Sequence, residues 1–255
     1  MPSQTQRPTS PSAVKRFTDC ERRFWFQDVM GMRGKEEPSP ALSVGNAVHA
    51  ALARGFRLRP SERGADNFEE ALRAVWRSHC KPGVFGGELD EKEWGEKAIA
   101  MIRNYADRTD LTVEVVGLES SLKAPLPGDW TIGGRIDRID RNHDGTLAIR
   151  DYKTGKRRIE EEDLRRDPAA QIYLLLADTK LGLVDEVRFI YLATGEEISW
   201  RPEREDLPHI AEAVTAELDG IWQRRNYEAN PGRQCSWCPF ASICHDGWAA
   251  LDEAA

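Results

Sequence analysis

An α/β fold, a mixed β-sheet flanked by helices, is predicted by three features of the 255-residue chain. Apolar residues recur at helical spacing from Ser10 to about residue 110; alternating β-type segments begin at Thr112; and helix, sheet and helix then follow in turn. The composition, 40% hydrophobic and 31% charged, is that of a globular protein with enough chain for a full core. Neither an internal repeat nor a long Pro/Gly/Ser linker separates two cores, so residues 10–255 are expected to form one domain, with 1–9 disordered.

The elements follow from local signals. Ser10-Pro11 reads as a helix start, because Ser can cap free amides and Pro is tolerated at the first helical position. It leads into AVKRFTDCERRFWF, and helical spacing continues through Val44, Val48, Leu52 and Phe56, then Phe68, Leu72, Val75 and Trp76, then Trp94, Ala98, Met101 and Tyr105. Residues 10–110 are therefore mainly helical. In the sheet core, 111–202, TVEVVGLESSL, WTIGGRIDRID and TLAIRDYKTG form a meander, the last two joined by a turn at Asn142-His143-Asp144-Gly145. A helix over Pro168 to Leu181 precedes strands at VDEVRFIYLAT and EEISWRP, and a helix from about Glu203 to Arg225 opens the last part, 203–255.

The N-terminus lacks the apolar stretch of a secretory signal and no apolar run is long enough to span a bilayer, so a cytoplasmic protein without membrane contact is expected. In a reducing compartment the five cysteines read as ligands or free thiols rather than disulfides. The net charge of −7 argues against indiscriminate DNA binding but leaves room for a local groove. Lys15, Arg16, Arg22 and Arg23 form one basic cluster; Lys153, Lys156, Arg157, Arg158, Arg165 and Arg166 form another; solvated faces are the plain alternative for both.

The hairpin around residue 143 carries the chemistry. Asp137 and Asp140 are three apart and point to opposite faces of a regular strand, whereas Asp151 and Lys153 are two apart and share one. One of the first pair thus joins Asp151 and Lys153 at an edge of the sheet. Two carboxylates suit a hard divalent cation that polarises a phosphodiester and activates water, and a lysine beside them can stabilise negative charge. Asp and Lys along strands are also common surface features.

Gly134-Arg135-Ile136-Asp137-Arg138-Ile139-Asp140 followed by Asp151-Tyr152-Lys153-Thr154-Gly155 resembles the RecB-like branch of the PD-(D/E)XK nucleases, with its G-x-x-D-R-I-D strand and D-Y-K-T-G. Gly45 to His49 is similar to that branch's G-x-x-x-H helix, and Ser10-Pro11-Ser12 through Cys20 to its S-x-S opening. The resemblance runs from Ser10 to Cys244. It implies a restriction-endonuclease-like core, Mg²⁺ or Mn²⁺ held by His49, Asp137, Asp151 and the Tyr152 carbonyl, and Lys153 as catalytic lysine. Asp140 and Arg138 are expected to brace the site or contact DNA. The family's Q-x-x-x-Y helix is matched only at Gln171, assigned to DNA positioning; Tyr173 is two residues on, Leu175 stands where Tyr is usual, and Glu119 is an outside candidate.

Cys235, Cys238 and Cys244 lie close together, with Cys20 distant. Four thiolates serve zinc or iron-sulfur sites alike, and zinc sites often use two C-x-x-C pairs where this chain has one. The one-plus-three layout resembles the 4Fe-4S site of RecB-like nucleases in helicase-nuclease complexes and CRISPR adaptation nucleases, which implies a structural cluster joining the N-terminal helix to the C-terminal loop. Zinc and free thiols are the alternatives, Cys80 is left over, and His245 is a weak substitute ligand.

The expectation is a metal-dependent exonuclease acting on single-stranded DNA ends in repair, recombination or replication. No G-x-x-x-x-G-K-[ST] motif is present, so unwound strands or a helicase partner are implied. A CRISPR adaptation nuclease working with an integrase is one alternative; a non-catalytic DNA-binding or scaffold module is another. Phe24, Trp25, Phe26 and Trp237 could stack on bases, although packing around the cluster is the preferred reading.

Overall fold

The computed structural model describes residues 7–34 and 38–247. The expected disorder of 1–9 lies outside the described residues for 1–6. Arg7–Thr9, however, form strand β1, which pairs in parallel with Trp130–Ile132. The described residues fall into two compact units. One is drawn from Met1–Glu37, Pro125–Gly133 and Pro208–Ala255, the other from Pro38–Ala124 and Gly134–Leu207.

In the first unit, the Ser10 hydroxyl accepts from Ala13 N and Pro11 starts helix α1, Pro11–Asp19. The helix stops at Cys20, whose backbone is extended, and resumes as α2, Glu21–Phe24, and a π turn over Trp25–Val29. AVKRFTDCERRFWF is thus two helical pieces hinged at a cysteine. Phe24 is fully buried against the rings of Phe17, Trp222 and Tyr227.

The second unit opens with α3, Pro40–Phe56, capped by the Ser39 side chain on Leu42 N. Val44, Ala47, Val48, Ala51, Leu52 and Phe56 share its buried face, the helical stripe legible in the sequence. Helices α4, Ala65–His79, and α5, Glu88–Ala106, complete a helical core that also takes in Tyr152 and Ile190 from the sheet and Leu192 from the turn that follows. A Cβ at Gly55 would run into the Phe68 ring. Gly55→Val is therefore expected to destabilise this unit by about 3 kcal/mol, read by chemical denaturation, because the ring has no free volume to retreat into.

Strands β2, Glu114–Leu126, β3, Trp130–Arg141, and β4, Leu147–Lys153, form the expected meander. The short helix α6, Glu161–Leu164, precedes α7, Pro168–Leu181, which is capped by the Asp167 carboxylate on Ala169 N and Ala170 N and ends at Gly182 with φ 70°. Helix α7 carries the chain across to β5, Val184–Tyr191, parallel to β4, and β6, Glu196–Trp200, returns antiparallel. Parallel and antiparallel pairs together make the sheet mixed, and helices flank it: the predicted α/β class. The last long helix, α8, covers Leu207–Trp222; it starts later than expected because Arg204–Asp206 wind as a 3₁₀ turn, and it stops three residues before Arg225. No helix among the described residues is long and apolar enough to cross a membrane.

Candidate active site

β3 and β4 pair antiparallel from Arg141↔Leu147 to Arg138↔Arg150, and Asp137 and Asp151 are the next residue on each strand. Beyond that pair the Tyr152 N–H donates to Asp137 Oδ2 at 2.8 Å, so a carboxylate takes the place of a strand carbonyl. Asp151 and Lys153, two apart on β4, meet at 2.6 Å between Oδ2 and Nζ. The Lys153 ammonium also sits 4.2 Å from the centre of the Phe189 ring on the neighbouring parallel strand. From α3, His49 Nδ1 lies 3.1 Å from Asp137 Oδ1. Gly45, one turn earlier, leaves room for Thr154: a Cβ there would stand 3.1 Å from its hydroxyl.

Glu119, an outside candidate from the sequence, stands beside the site. Glu119 of β2 has a carboxylate oxygen within 4.8 Å of a His49 ring nitrogen and an Asp137 oxygen. It adopts φ 48°, uncommon for a residue with a side chain, and pairs with Arg135 at 2.9 Å. Its strand position was legible, but its left-handed backbone was not.

Burial and like charge shape the electrostatics. Burial pushes the Asp151 carboxyl up to about 6 against the pull of Lys153, and the Asp137 charge adds to the rise. Burial would lower Lys153, but Asp151 more than offsets it and the ammonium is held above its ordinary range. For His49, burial is likewise outweighed by the hydrogen bond and charge of Asp137 and by the charges of Asp151 and Glu119, so the imidazole is raised. Burial, then the Asp137 charge, raises Glu119, with Arg135 opposing. Tyr173 feels the same charges: burial raises its phenol, followed by Asp151, Asp137 and Asp167. Gly134 makes room for it, since a Cβ there would stand 3.1 Å from the Tyr173 ring.

The other predicted residues divide. The Gln171 side chain donates to the Arg165 carbonyl at 2.8 Å, tying α7 to the loop before it, and Leu174, Leu175 and Leu176 are core. The Tyr152 ring is buried against Tyr105 and His49. Asp140 belongs to a separate buried network: it pairs with Arg138 at 2.9 Å and Arg150 at 3.2 Å, while Arg138 also donates to the Tyr105 hydroxyl and covers the Phe56 ring. This separation is the strand parity expected for residues three apart. Asp140→Ala should cost roughly 3 kcal/mol in a denaturation experiment, because the buried Arg138 guanidinium loses its carboxylate, while Arg150 keeps Glu186 at 3.1 Å.

Cys20, Cys235, Cys238 and Cys244, all free thiols, line one cavity of about 330 Å³ in the first unit. The Asn230 N–H reaches Cys20 Sγ at 3.4 Å, and Phe26 and Phe240 pack beside Cys244. Among the described residues no three of these sulfurs come within 4.8 Å of one another. Burial raises the Cys238 thiol; the Phe240 amide and Arg23 oppose this, and Cys20 and Cys235 add to it. Trp237 is 56% exposed at the rim, and Trp25 packs on Phe26. His245 is exposed and outside the cavity wall. Cys80 is buried in the helical core of the other unit, which pushes its thiol up to about 11.

The acidic site fits a divalent ion. Two ligands about 2.1 Å from one octahedral ion lie roughly 3.0 Å apart, close to the separation of His49 and Asp137. Carboxylates at the ends of paired strands, with a lysine two residues past the second, are how a metal-dependent nuclease is built, and comparison with known proteins agrees with that class. The model of the PD-(D/E)XK nuclease superfamily matches residues 8–245, and the protein belongs to that superfamily. The chain is 25% identical over 158 residues to an ATP-dependent helicase/deoxyribonuclease subunit of Streptococcus agalactiae serotype Ia, covering 59% of this chain. It is 28% identical over 154 residues to the subunit of the same name from Streptococcus mutans serotype c, covering 58%. It spans only 14% of the length of each. The crystal structure of SSO0001 aligns over 94% of this chain and 86% of its own at 17% identity, with a TM-score of 0.40.

Proposed function

We propose that this protein is a Mg²⁺- or Mn²⁺-dependent DNA exonuclease that cuts from single-stranded ends, works beside a helicase in the cytoplasm, and carries a structural 4Fe-4S cluster. The observation that carries the nuclease reading is the convergence of His49, Asp137, Asp151 and Lys153, from one helix and two strands, in one partly buried place.

His49, Asp137, Asp151 and the Tyr152 carbonyl would hold the ion. When bound, it polarises the phosphodiester and lowers the pKa of water. The chain's own groups do the rest. The Tyr152 N–H fixes Asp137, and Asp137 orients His49. Lys153, positively charged and steered by Asp151 and Phe189, meets the negative charge that grows on the phosphate oxygens as the P–O bond breaks. Exposed Lys156, Arg157, Arg165 and Arg166 in the same unit are suited to the DNA backbone, with Gln171 holding the Arg165 segment in place. The relatives named as helicase/deoxyribonuclease subunits support the helicase setting.

For the cluster, the cavity that its four cysteines share is the support, together with their one-plus-three spacing along the chain. Cys20, Cys235, Cys238 and Cys244 would hold it, and it would tie Cys20 to the C-terminal loop.

Anaerobically purified protein assayed on end-labelled single- and double-stranded DNA, with Mg²⁺, Mn²⁺ or EDTA, tests the proposal. Metal-dependent ladders from single-stranded ends are expected; intact DNA under every condition would overturn the stand-alone exonuclease and leave a nuclease that needs its partner or a non-catalytic DNA-binding module.

A further inference from the structure

Glu119 and Arg135 form a pair that the catalytic reading leaves without a role. Strand residues that face solvent do not need a left-handed backbone, yet Glu119 holds φ 48°, a conformation that costs on the order of 1 kcal/mol or more for a residue with a Cβ. The strand runs on through it, and its carboxylate lies beside the acidic site. One of its oxygens is within 4.8 Å of ligand atoms of both His49 and Asp137, and its side chain is only 20% exposed.

Charge counting shows what it would do there. Asp151 already has a cation, since Lys153 stands 2.6 Å away. Asp137 carries one negative charge towards a divalent ion and His49, when it ligates, carries none. With the Asp151 charge offset by Lys153 even where Asp151 ligates, Glu119 supplies the second net charge that would balance such an ion. Without one, its counterion is Arg135, at 2.9 Å and with a side chain 62% exposed. An exposed guanidinium has little desolvation to lose on leaving and is well suited to phosphate.

We infer that Glu119 is a further ligand of the divalent ion, and that Arg135 is its stand-in counterion, displaced by the ion and thereby made available to a phosphate of the DNA strand. This rests on the reading of His49 and Asp137 as the metal site. The two residues then have opposite effects on metal binding: Glu119 contributes to it and Arg135 competes with it.

Isothermal titration of Mn²⁺ into the metal-free full chain separates the possibilities, with circular dichroism and the melting temperature confirming each variant's fold. Glu119→Gln, which keeps shape and loses charge, should weaken Mn²⁺ binding about tenfold or more. Arg135→Met should bind Mn²⁺ as tightly as the unaltered protein or more tightly, while its KM for single-stranded DNA rises. Asp137→Ala should abolish binding. Unchanged affinity in Glu119→Gln beside a loss in Asp137→Ala would overturn the role of Glu119 and leave the metal site standing. Weaker Mn²⁺ binding in Arg135→Met would overturn its role as competitor. Unchanged affinity in Asp137→Ala would overturn the metal site itself, and the inference with it. A folded Glu119→Gln that loses activity without losing Mn²⁺ affinity also counts against ligation.

Discussion

Asp151→Ala is expected to lower metal-dependent DNA cleavage by at least about a thousandfold. A bound divalent ion contributes several kcal/mol of transition-state stabilisation, and each ~1.4 kcal/mol is a factor of ten in rate. The loss should fall on kcat rather than KM, because the interaction is made with charge that develops during the reaction. Lys153→Ala is expected to cost about a hundredfold to a thousandfold, the scale of losing one positioned donor to a developing oxyanion. Lys153→Arg should restore little: a planar fork cannot take the place of a compact ammonium seated on Asp151 and Phe189. Single-turnover cleavage of end-labelled DNA checks both. Asp151→Asn serves as the control for folding, since it keeps the side chain's shape and removes a charge that burial disfavours. A folded Asp151→Asn protein that still cleaves at the unaltered rate would sink the assignment.

Cys238→Ser carries the second large effect. If the four cysteines hold an iron-sulfur cluster, replacing one ligand should eliminate iron absorbance and lower the melting temperature by about ten degrees. Cluster binding is folding energy for the elements it joins, and a loss of a few kcal/mol shifts a domain of this size by roughly that amount. The first unit has reason to depend on it. Its C-terminal stretch is made of two 3₁₀ turns, Arg233–Trp237 and Ala241–Ile243, and the aromatic contacts of Phe26 and Phe240 supply only a small apolar core there. Iron and zinc analysis of the purified protein separates the cofactors. One zinc per chain with no iron would overturn the cluster, and unaltered absorbance and melting in Cys238→Ser would remove that residue from the ligand set.

Asp151 and Lys153 could be paired from the sequence because alternation along a strand is a local property and residues two apart share a face. Parity also separated Asp137 from Asp140, but the choice of Asp137 came from the motif it stands in, and the fold puts Asp140 in a buried network with Arg138 and Arg150. Helix α7 was bounded at Pro168 and Leu181 for the same kind of reason: an Asp-Pro start and a Gly stop act within one turn of the helix. The four spaced cysteines could be grouped from the sequence too, and the fold brings them around one cavity.

What only the tertiary structure decided depends on contacts between distant parts of the chain. His49 meets Asp137 across 88 residues. Glu119 stands beside His49 and Asp137 with a positive φ that no residue type announces, and Arg138, outwardly a surface cation, is held at 2% exposure by Asp140, the Tyr105 hydroxyl and the rings of Phe56 and Tyr152. Cys20 breaks a helix that local propensity would have continued. Periodicity and capping act over a few residues and so can be read in order along the chain; burial, backbone strain and ion pairing are set by whichever elements pack together, which a linear pattern does not record.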